Sequence, residues 1–364
     1  MCRYICTRPM AITELIFRPE DRPILTYLED DGISVEPEFY VPIIPMVLVN
    51  GAAGIGVGFS TNVPCFNPLE ILRKLRSGDL KGFDKMTPWY RGFRGSIAVA
   101  KKRSQQTSPD EAGGDGAGAG LRYATTGIVR KTGPKTASVT ELPIGFWTDD
   151  FKKLLEAKIA LSPSPLLKYD VQYTDSDTFE FLLTFRTEAD LDQAKFNDEY
   201  KLTVATNAIS TTNMHLFNER AQIVKYPTVR AIVDEFVRTR LEYYSKRKKY
   251  MHAKLSDENK VLENKARFIE EVVAGKIVLG RRAIDQVFAE LAAKKYLKVD
   301  DSYRYLVDMP LASLTLERKA KLDAEIAANV KLIRYYAETP EKEIWNKELD
   351  ELEAALVKMK VYGA

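Results

Sequence analysis

Two neighbouring residues near the start of the chain could do chemistry together. Tyr4 offers a phenol, and Arg3 beside it offers a fixed positive charge. A tyrosine next to an arginine is nevertheless far more often a surface or core residue than a nucleophile. The pair by itself therefore predicts no reaction, and the sequence around it has to decide.

A glycine-rich segment, Gly54-Ile55-Gly56-Val57-Gly58, is the second candidate. A phosphate-binding Walker loop would need Gly-Lys-Ser or Gly-Lys-Thr after the glycines, and neither follows. A dinucleotide-binding loop would need a strand before it and a helix after it, whereas Pro42 and Pro45 crowd the approach. Both alternatives are therefore disfavoured.

The composition is that of an ordinary globular protein. The 364 residues are 45% hydrophobic and 29% charged, which suits two or three domains with a sizeable core. Because the net charge is only +3, any nucleic-acid contact must come from local patches. Cys2, Cys6 and Cys65 show no metal-site spacing, which favours a reduced intracellular compartment and disfavours structural zinc.

The chain carries no sign of a membrane partner. No apolar run is long enough to span a bilayer, and no signal peptide opens the sequence, so we expect a soluble intracellular protein. Organised sequence begins at once, and we therefore expect that Met1 is not the start of the natural functional unit.

The first half of the chain indicates mixed helix and strand. Residues 1–34 suggest one packed helix, and the apolar stretch between Pro42 and Gly51 is strand-like. Asn67 should cap a helix that begins at Pro68 and ends near Arg76. Further strands are predicted at residues 95–100, 123–130, 137–141 and 178–185, and the polar segment 104–120 is predicted to be a flexible insertion.

The second half indicates long helices. After Pro227, apolar residues recur at helical spacing over about forty residues. A partner helix should run from about Thr315 to Arg334 and continue after Pro340 to about Lys360. The pattern predicts an antiparallel two-helix arm, with residues 276–311 forming a small helical knob.

Several segments resemble, in order, the eukaryotic-type type IIA DNA topoisomerases. The similarity covers essentially the whole chain outside residues 104–120. It includes the stretch from Tyr4 to Phe66 and several later motifs: Arg3–Thr7, Val35–Ala52, Gly54–Gly56 with Gly58, Trp89–Gly95, Thr140–Pro143, Met214–Phe217 and Leu306–Leu311.

The resemblance implies an α+β multidomain fold from the carboxy-terminal half of the family's DNA-cleaving core. Residues 1–34 would be the remnant of a winged-helix domain, and residues 35–222 a mixed α/β tower domain. Residues 223–275 and 312–364 would form a long antiparallel coiled-coil arm, and residues 276–311 a small helical C-gate.

The same resemblance implies roles for the first candidate pair. Tyr4 matches the tyrosine that attacks a DNA phosphodiester and stays joined to the 5′ phosphate, a role that suits a phenolate. Arg3 matches the arginine that stabilises the transition state. Because one tyrosine from each of two copies cuts one strand, the resemblance also implies a homodimer on double-stranded DNA.

Ile55 matches the isoleucine that wedges between base pairs in the family. An apolar wedge unstacks a step and kinks the duplex, at a cost of a few kcal/mol that wider protein contact offsets. The flanking glycines would let backbone and wedge approach DNA closely.

Other positions match DNA-facing ones less specifically, and a buried tryptophan and a polar strand edge are equally good interpretations. For the basic run Lys246–Lys249 a solvated helix face is the better account, and His215 and His252 receive no role. The less specific DNA-binding candidates are Trp147, Val204, Thr206, Asn207, Ser210, Thr211, Thr212 and Asn213.

The family's metal-binding and ATPase motifs do not occur in this sequence. The resemblance implies that Mg²⁺ and ATP serve the full enzyme, bound by upstream metal-binding and ATPase domains. We therefore expect the chain alone to bind DNA weakly and to cleave it poorly.

The leading hypothesis is a part of an ATP-dependent type II topoisomerase that breaks, passes and reseals duplex DNA. The alternative is a truncated, non-catalytic DNA-binding or dimerisation relative. A nuclear location is expected, with an organelle or a virus-infected cell as the other settings.

Overall fold

The computed structural model describes residues 8–100, 120–175, 178–280, 282–310 and 315–359. These residues form two compact units. Unit 1 takes the described residues of the ranges 1–17, 42–239 and 348–364, and unit 2 takes those of 18–41 and 240–347. Nearly all of the predicted insertion 104–120 lies outside the described residues.

Short helices and strands alternate along the first part of the chain, and longer helices follow. Two 3₁₀ turns lie at Pro19–Ile24 and Leu80–Lys85. The helices are α1 (Ile12–Ile16), α2 (Met46–Asn50), α3 (Pro68–Ser77), α4 (Thr148–Ile159), α5 (Glu188–Gln193), α6 (Phe196–Glu199), α7 (Val229–Val273), α8 (Ile284–Ala293), α9 (Arg304–Val307), α10 (Leu316–Glu338) and α11 (Glu341–Lys358). The strands are β1 (Tyr27–Asp30), β2 (Ile33–Pro37), β3 (Ala52–Ile55), β4 (Ser60–Val63), β5 (Ser96–Val99), β6 (Arg122–Thr126), β7 (Ile128–Gly133), β8 (Thr136–Glu141), β9 (Leu166–Asp175), β10 (Thr178–Phe185), β11 (Thr203–Ser210), β12 (Met214–Phe217) and β13 (Ile223–Tyr226). The predicted mixed α+β class is confirmed, and no helix of the described residues is long and apolar enough to cross a membrane.

A four-stranded antiparallel sheet forms a core of unit 1, in the order β7-β8-β10-β9. Strand β10 occupies the residues that the sequence predicts. Its alternate residues Phe181, Leu183 and Phe185 are buried, as expected when one face of a sheet is covered. Helix α4 contributes Phe151 and Leu155 to the same apolar cluster.

A second sheet of unit 1 has the order β11-β6-β5. The prediction of one strand over residues 123–130 is wrong, because β6 and β7 belong to different sheets and Gly127 separates them. The Gly127 amide donates to the Leu202 carbonyl at 2.8 Å. A Cβ at Gly127 would lie 2.2 Å from the Glu141 carbonyl oxygen, so only glycine fits where the chain changes sheets.

The apolar stretch predicted to be strand-like is wrong as well, since Met46–Asn50 forms helix α2. The Leu48 amide donates to the Pro45 carbonyl at 2.9 Å, which is a helical turn and not a strand ladder. Helix α3 confirms its prediction: Asn67 Oδ1 accepts from the Leu69 amide at 2.9 Å, and Pro68 is the first helical residue.

Unit 2 contains most of the long helices that the sequence predicts. Ala266 and Ile269 of α7 bury against Leu322 of α10, and Lys319 Nζ lies 2.7 Å from Glu270. The region between α7 and α10 is packed around a second apolar cluster: Phe268, Ile277, Val287, Leu291, Tyr296, Tyr303 and Leu306. The predicted domain boundaries and the coiled-coil assignment stay predictions.

The predicted solvated face at Lys246–Lys249 is wrong for Arg247, which is buried. Its Nε donates to Asp21 Oδ1 at 2.7 Å, and Arg240 Nη1 donates to Asp21 Oδ2 at 2.7 Å. Both guanidinium groups face the buried ring of Tyr244, at 4.0 Å for Arg240 and 4.8 Å for Arg247. The Asp21 carboxylate therefore ties the first 3₁₀ turn to α7.

Candidate nucleic-acid interface

The tip of the β3–β4 hairpin is the feature that carries the second sequence candidate. The two strands pair antiparallel, with Ile55 opposite Ser60. The Gly56 amide donates to the Phe59 carbonyl at 2.8 Å and closes the tip. Gly58 has a φ of +83°, a conformation that L side chains rarely adopt. The glycine pattern is thus that of a tight hairpin end.

The tip is apolar and open to solvent. Ile55 is 95% exposed, Phe59 is 55% exposed, and Val57 between them is fully exposed. Full burial of such side chains is worth about 1.5–3 kcal/mol each, and the fold of unit 1 leaves most of that unrealised here. Contiguous exposed apolar groups mark interaction sites. An aliphatic tip suits insertion between stacked, flat groups and offers no ligand for a phosphate or a metal ion.

The base of the hairpin is held closely by the chain that follows it. Gly51 has a φ of +69°, and a Cβ there would lie 2.8 Å from both Cys65 Sγ and the Val63 carbonyl oxygen. The Cys65 thiol donates to the Asn50 carbonyl at 3.2 Å. Burial raises the pKa of this thiol, which keeps it protonated and able to donate.

Strand β12 and the residue before it support one side of the hairpin. The Asn62 amide donates to the Asn213 carbonyl at 2.7 Å. Asn213 Nδ2 donates to Ser60 Oγ at 2.8 Å, and the His215 amide donates to Thr61 Oγ1 at 3.3 Å. The structure therefore brings Asn213, a predicted DNA contact, to the hairpin that carries Ile55.

Other predicted contacts between residues 204 and 212 hold the chain together around β11. Val204 lies opposite Thr125 of β6. The buried Thr211 accepts through Oγ1 from the Leu121 amide at 2.8 Å, and the Oγ of the buried Ser210 lies 3.0 Å from Oγ1 of the exposed Thr212.

Burial places Ser210 and Thr211 where they support the strand ends and not where they would touch a ligand directly. Thr206 and Asn207 lie in β11, but their side chains are outside the description. Direct DNA contact by residues 204–213 stays a prediction.

Trp147 is 73% exposed, so the alternative interpretation as a buried tryptophan is wrong. It precedes the first residue of α4, after a turn in which Gly145 has a φ of +80°. The neighbouring Phe146 points inward, with its ring 6.0 Å from that of Phe151. The Ile144 amide donates to Thr125 Oγ1 at 3.2 Å, which anchors this turn to the strand next to β11.

Sequence reasoning missed His215. Its Nδ1 lies 2.8 Å from Asn213 Oδ1, and its ring meets Phe59 edge-on with the centroids 6.2 Å apart. The available signal was the Asn213-x-His215 spacing, since alternate residues of an extended segment share one face. His252, by contrast, is exposed on α7.

Arg3 and Tyr4, the predicted catalytic pair, lie outside the described residues. Within the described part of the chain, no group of three or more His, Cys, Asp or Glu residues could hold a metal ion.

Comparison with known proteins gives a consistent result. The family model for DNA gyrase/topoisomerase IV, in its A-type polypeptide, matches residues 1–350. DNA topoisomerase 2 of Arabidopsis thaliana is 33% identical over an alignment of 405 positions that covers 100% of this chain and 26% of the relative. The mitochondrial DNA topoisomerase 2 of Dictyostelium discoideum is 30% identical, with 98% of this chain and 27% of the relative covered.

A solved structure extends the comparison to the fold. The crystal structure of the Plasmodium falciparum topoisomerase II DNA-binding, cleavage and re-ligation domain matches with a TM-score of 0.80 and 28% identity. The match covers 99% of this chain and 50% of that chain. The chain spans about a quarter of the length of the two relatives above, at 26% and 27%.

Proposed function

Because the chain belongs to the type IIA DNA topoisomerase family, we propose that it is part of an enzyme that opens and reseals duplex DNA. The complete enzyme would break both strands, pass a second duplex through the break, and so relax supercoils and decatenate DNA with ATP hydrolysis. The observation that best supports this proposal is the aliphatic tip at Ile55, held out into solvent by an anchored hairpin.

Tyr4 is the proposed nucleophile. Its phenolate oxygen would attack the phosphorus of a backbone phosphodiester; the bond from phosphorus to the 3′ oxygen breaks as the bond to tyrosine forms. The 5′ phosphate then stays on the protein, and the released 3′ hydroxyl reverses the step. Arg3 would stabilise the extra negative charge of the five-coordinate phosphate through its forked donors.

The hairpin would bend the duplex that Tyr4 cuts. Ile55 would enter a base step and unstack it, at a cost of a few kcal/mol that added protein contact offsets. A hairpin tied at its base and along one side suits this role, because a loose tip would yield before the stacked bases do. Trp147 and residues 204–213 would extend the DNA contact on the β6 and β11 side.

Mg²⁺ and ATP do not fit the described residues, which contain no cluster able to hold a metal ion. We place both in the upstream metal-binding and ATPase domains of the complete enzyme and route no step of this chain through them. One catalytic tyrosine for each strand implies a homodimer. The proposed location is the nucleus, with an organelle as the other setting, since one relative is named mitochondrial.

The decisive experiment asks for a covalent adduct with DNA. This chain, joined to the upstream segments with which it would occur, is incubated with end-labelled duplex and Mg²⁺ and stopped with denaturant. A 3′-end label should stay with the protein while a 5′-end label is released, because the link is to the 5′ phosphate. Tyr4→Phe should abolish the adduct.

Tyr173→Phe is the matched control, because Tyr173 is an exposed tyrosine of unit 1, 62% accessible, that the proposal does not use. It should leave the adduct yield unchanged. An adduct that persists in Tyr4→Phe refutes the assignment of the nucleophile. Absence of any adduct from the unsubstituted protein favours the non-catalytic alternative.

A further inference from the structure

The β3–β4 hairpin has short strands and would be a poor wedge without support. Each strand has four residues. Isolated two-stranded hairpins are marginally stable in water, so a tip that must part stacked bases needs bracing from outside the hairpin. The side chains of residues 213 and 215 provide bracing close to the tip.

Asn213 reaches the strand position opposite the wedge. Its Nδ2 donates to Ser60 Oγ at 2.8 Å, and Ser60 is the partner of Ile55 in the hairpin register. With Nδ2 committed to Ser60, Oδ1 faces His215 at 2.8 Å. Because Oδ1 only accepts, His215 Nδ1 must carry the hydrogen in this bond.

His215 also touches the tip directly. Its ring lies edge-on to the ring of Phe59, with the centroids 6.2 Å apart and the planes at 65°. That geometry is favourable for an aromatic pair. Phe59 in turn accepts through its carbonyl from Gly56, next to Ile55. One imidazole therefore fixes both the residue opposite the wedge and the residue that closes the tip.

We propose that His215 is a positioning residue for the DNA-bending hairpin, acting through Asn213 and Phe59 and not through contact with DNA. This inference rests on the proposed function, since it assumes that Ile55 enters a base step. It also reassigns Asn213, whose side chain is turned to Ser60 and His215, from a DNA contact to a brace.

The experiment measures DNA bending by the complete enzyme, using a duplex with a fluorescence donor and acceptor at its ends. His215→Ala should shift the equilibrium between bent and unbent bound DNA by roughly tenfold toward unbent, as expected for losing one part-buried hydrogen bond and an aromatic contact. His215→Asn, which keeps a donor toward Asn213, should recover part of the loss. His252→Ala, the matched histidine on α7, should change nothing.

A mismatched duplex separates positioning from damage to the fold. A mismatch at the wedged step lowers the cost of unstacking, so it should restore bending by His215→Ala, whereas a misfolded variant gains nothing. If His215→Ala lowers the melting temperature, the comparison of His215→Asn with His215→Phe decides, because only the former keeps the bond to Asn213.

The failures of the two proposals are distinguishable. Bending that is unchanged in His215→Ala, while Ile55→Ala abolishes it, overturns the positioning role and leaves the wedge intact. Bending that survives Ile55→Ala overturns the wedge itself. A His215→Ala defect that the mismatch does not relieve also counts against positioning.

Discussion

At the scale of single residues, Ile55 stands out because its exposure is combined with restraint. Other aliphatic side chains are exposed, but Ile55 sits on a strand whose partner, base and flank are all hydrogen-bonded. Restraint matters because a wedge must hold its place while base stacking pushes back. The position is therefore suited to mechanical work on a duplex.

Ile55→Ala should reduce DNA bending by the complete enzyme by about thirtyfold. The substitution removes roughly 2 kcal/mol of apolar contact with the opened base step. Energy transfer across an end-labelled duplex measures the bent fraction. Ile33→Ala, which truncates an isoleucine that is 67% exposed on β2, serves as the control and should bend DNA normally. Equal bending by the two variants would exclude the tip as the wedge.

The sequence revealed residue identities better than residue settings. Ile55 could be singled out because its flanking glycines stand in the family pattern. Trp147 could not be assigned to surface or core, because the turn at Gly145 decides which of two adjacent aromatic rings points inward. His215 escaped notice because its partners, Phe59 and Asn213, meet only after two hairpins have folded side by side.

At the scale of elements, the base of the β3–β4 hairpin depends on a glycine. Gly51 combines a left-handed backbone with a close approach to Cys65 and to the Val63 carbonyl. Any side chain there would have both a strained φ and a clash. The hairpin therefore leaves α2 at an angle that only this residue allows.

Gly51→Ala should lower the free energy of unfolding of unit 1 by about 1–3 kcal/mol more than Gly92→Ala does. Gly92 is the matched control because its φ is +83° but nothing lies within 4 Å of a Cβ there. Urea denaturation followed by circular dichroism measures both variants. If the two lose the same stability, the contact with Cys65 relaxes freely and the hairpin base is softer than the distances imply.

Element boundaries were predictable where a local signal set them. Helix α3 was found because Asn67 and Pro68 specify its start. The β1–β2 hairpin was missed although Asp31-Gly32, with φ values of 49° and 76°, forms its two-residue turn, and Asp-Gly is a strong hairpin signal. Helix α2 was mistaken for a strand because valines in a short apolar run favour strand locally, and only the tertiary setting overrides that preference.

At the scale of the whole molecule, distant chain segments meet inside each unit. In unit 2 the Asp21 carboxylate joins Arg240 and Arg247, which are 219 and 226 residues away in sequence. Charged groups buried this deeply are costly unless they are paired. The pairing was invisible in the sequence, where residues 246–249 read as a solvated basic run.

Asp21→Ala should lower the free energy of unfolding of unit 2 by about 3–5 kcal/mol, because two buried guanidinium groups lose their shared carboxylate. Asp30→Ala, at an exposed position of β1, should change the same quantity by less than about 0.5 kcal/mol. Chemical denaturation with hydrogen exchange along α7 measures the effect. A loss below about 1 kcal/mol would mean that other partners of the arginines compensate.

The order in which unit 1 draws on the chain has a consequence for synthesis on the ribosome. Arg73 and Arg76 of α3 are paired with Glu353 and Asp350 of α11, which are translated some 274 residues or more later. A nascent chain cannot close unit 1 until that last helix has left the exit tunnel. Apolar faces made early must therefore wait uncovered, which makes this segment of polypeptide a natural client for chaperones that bind emerging chains.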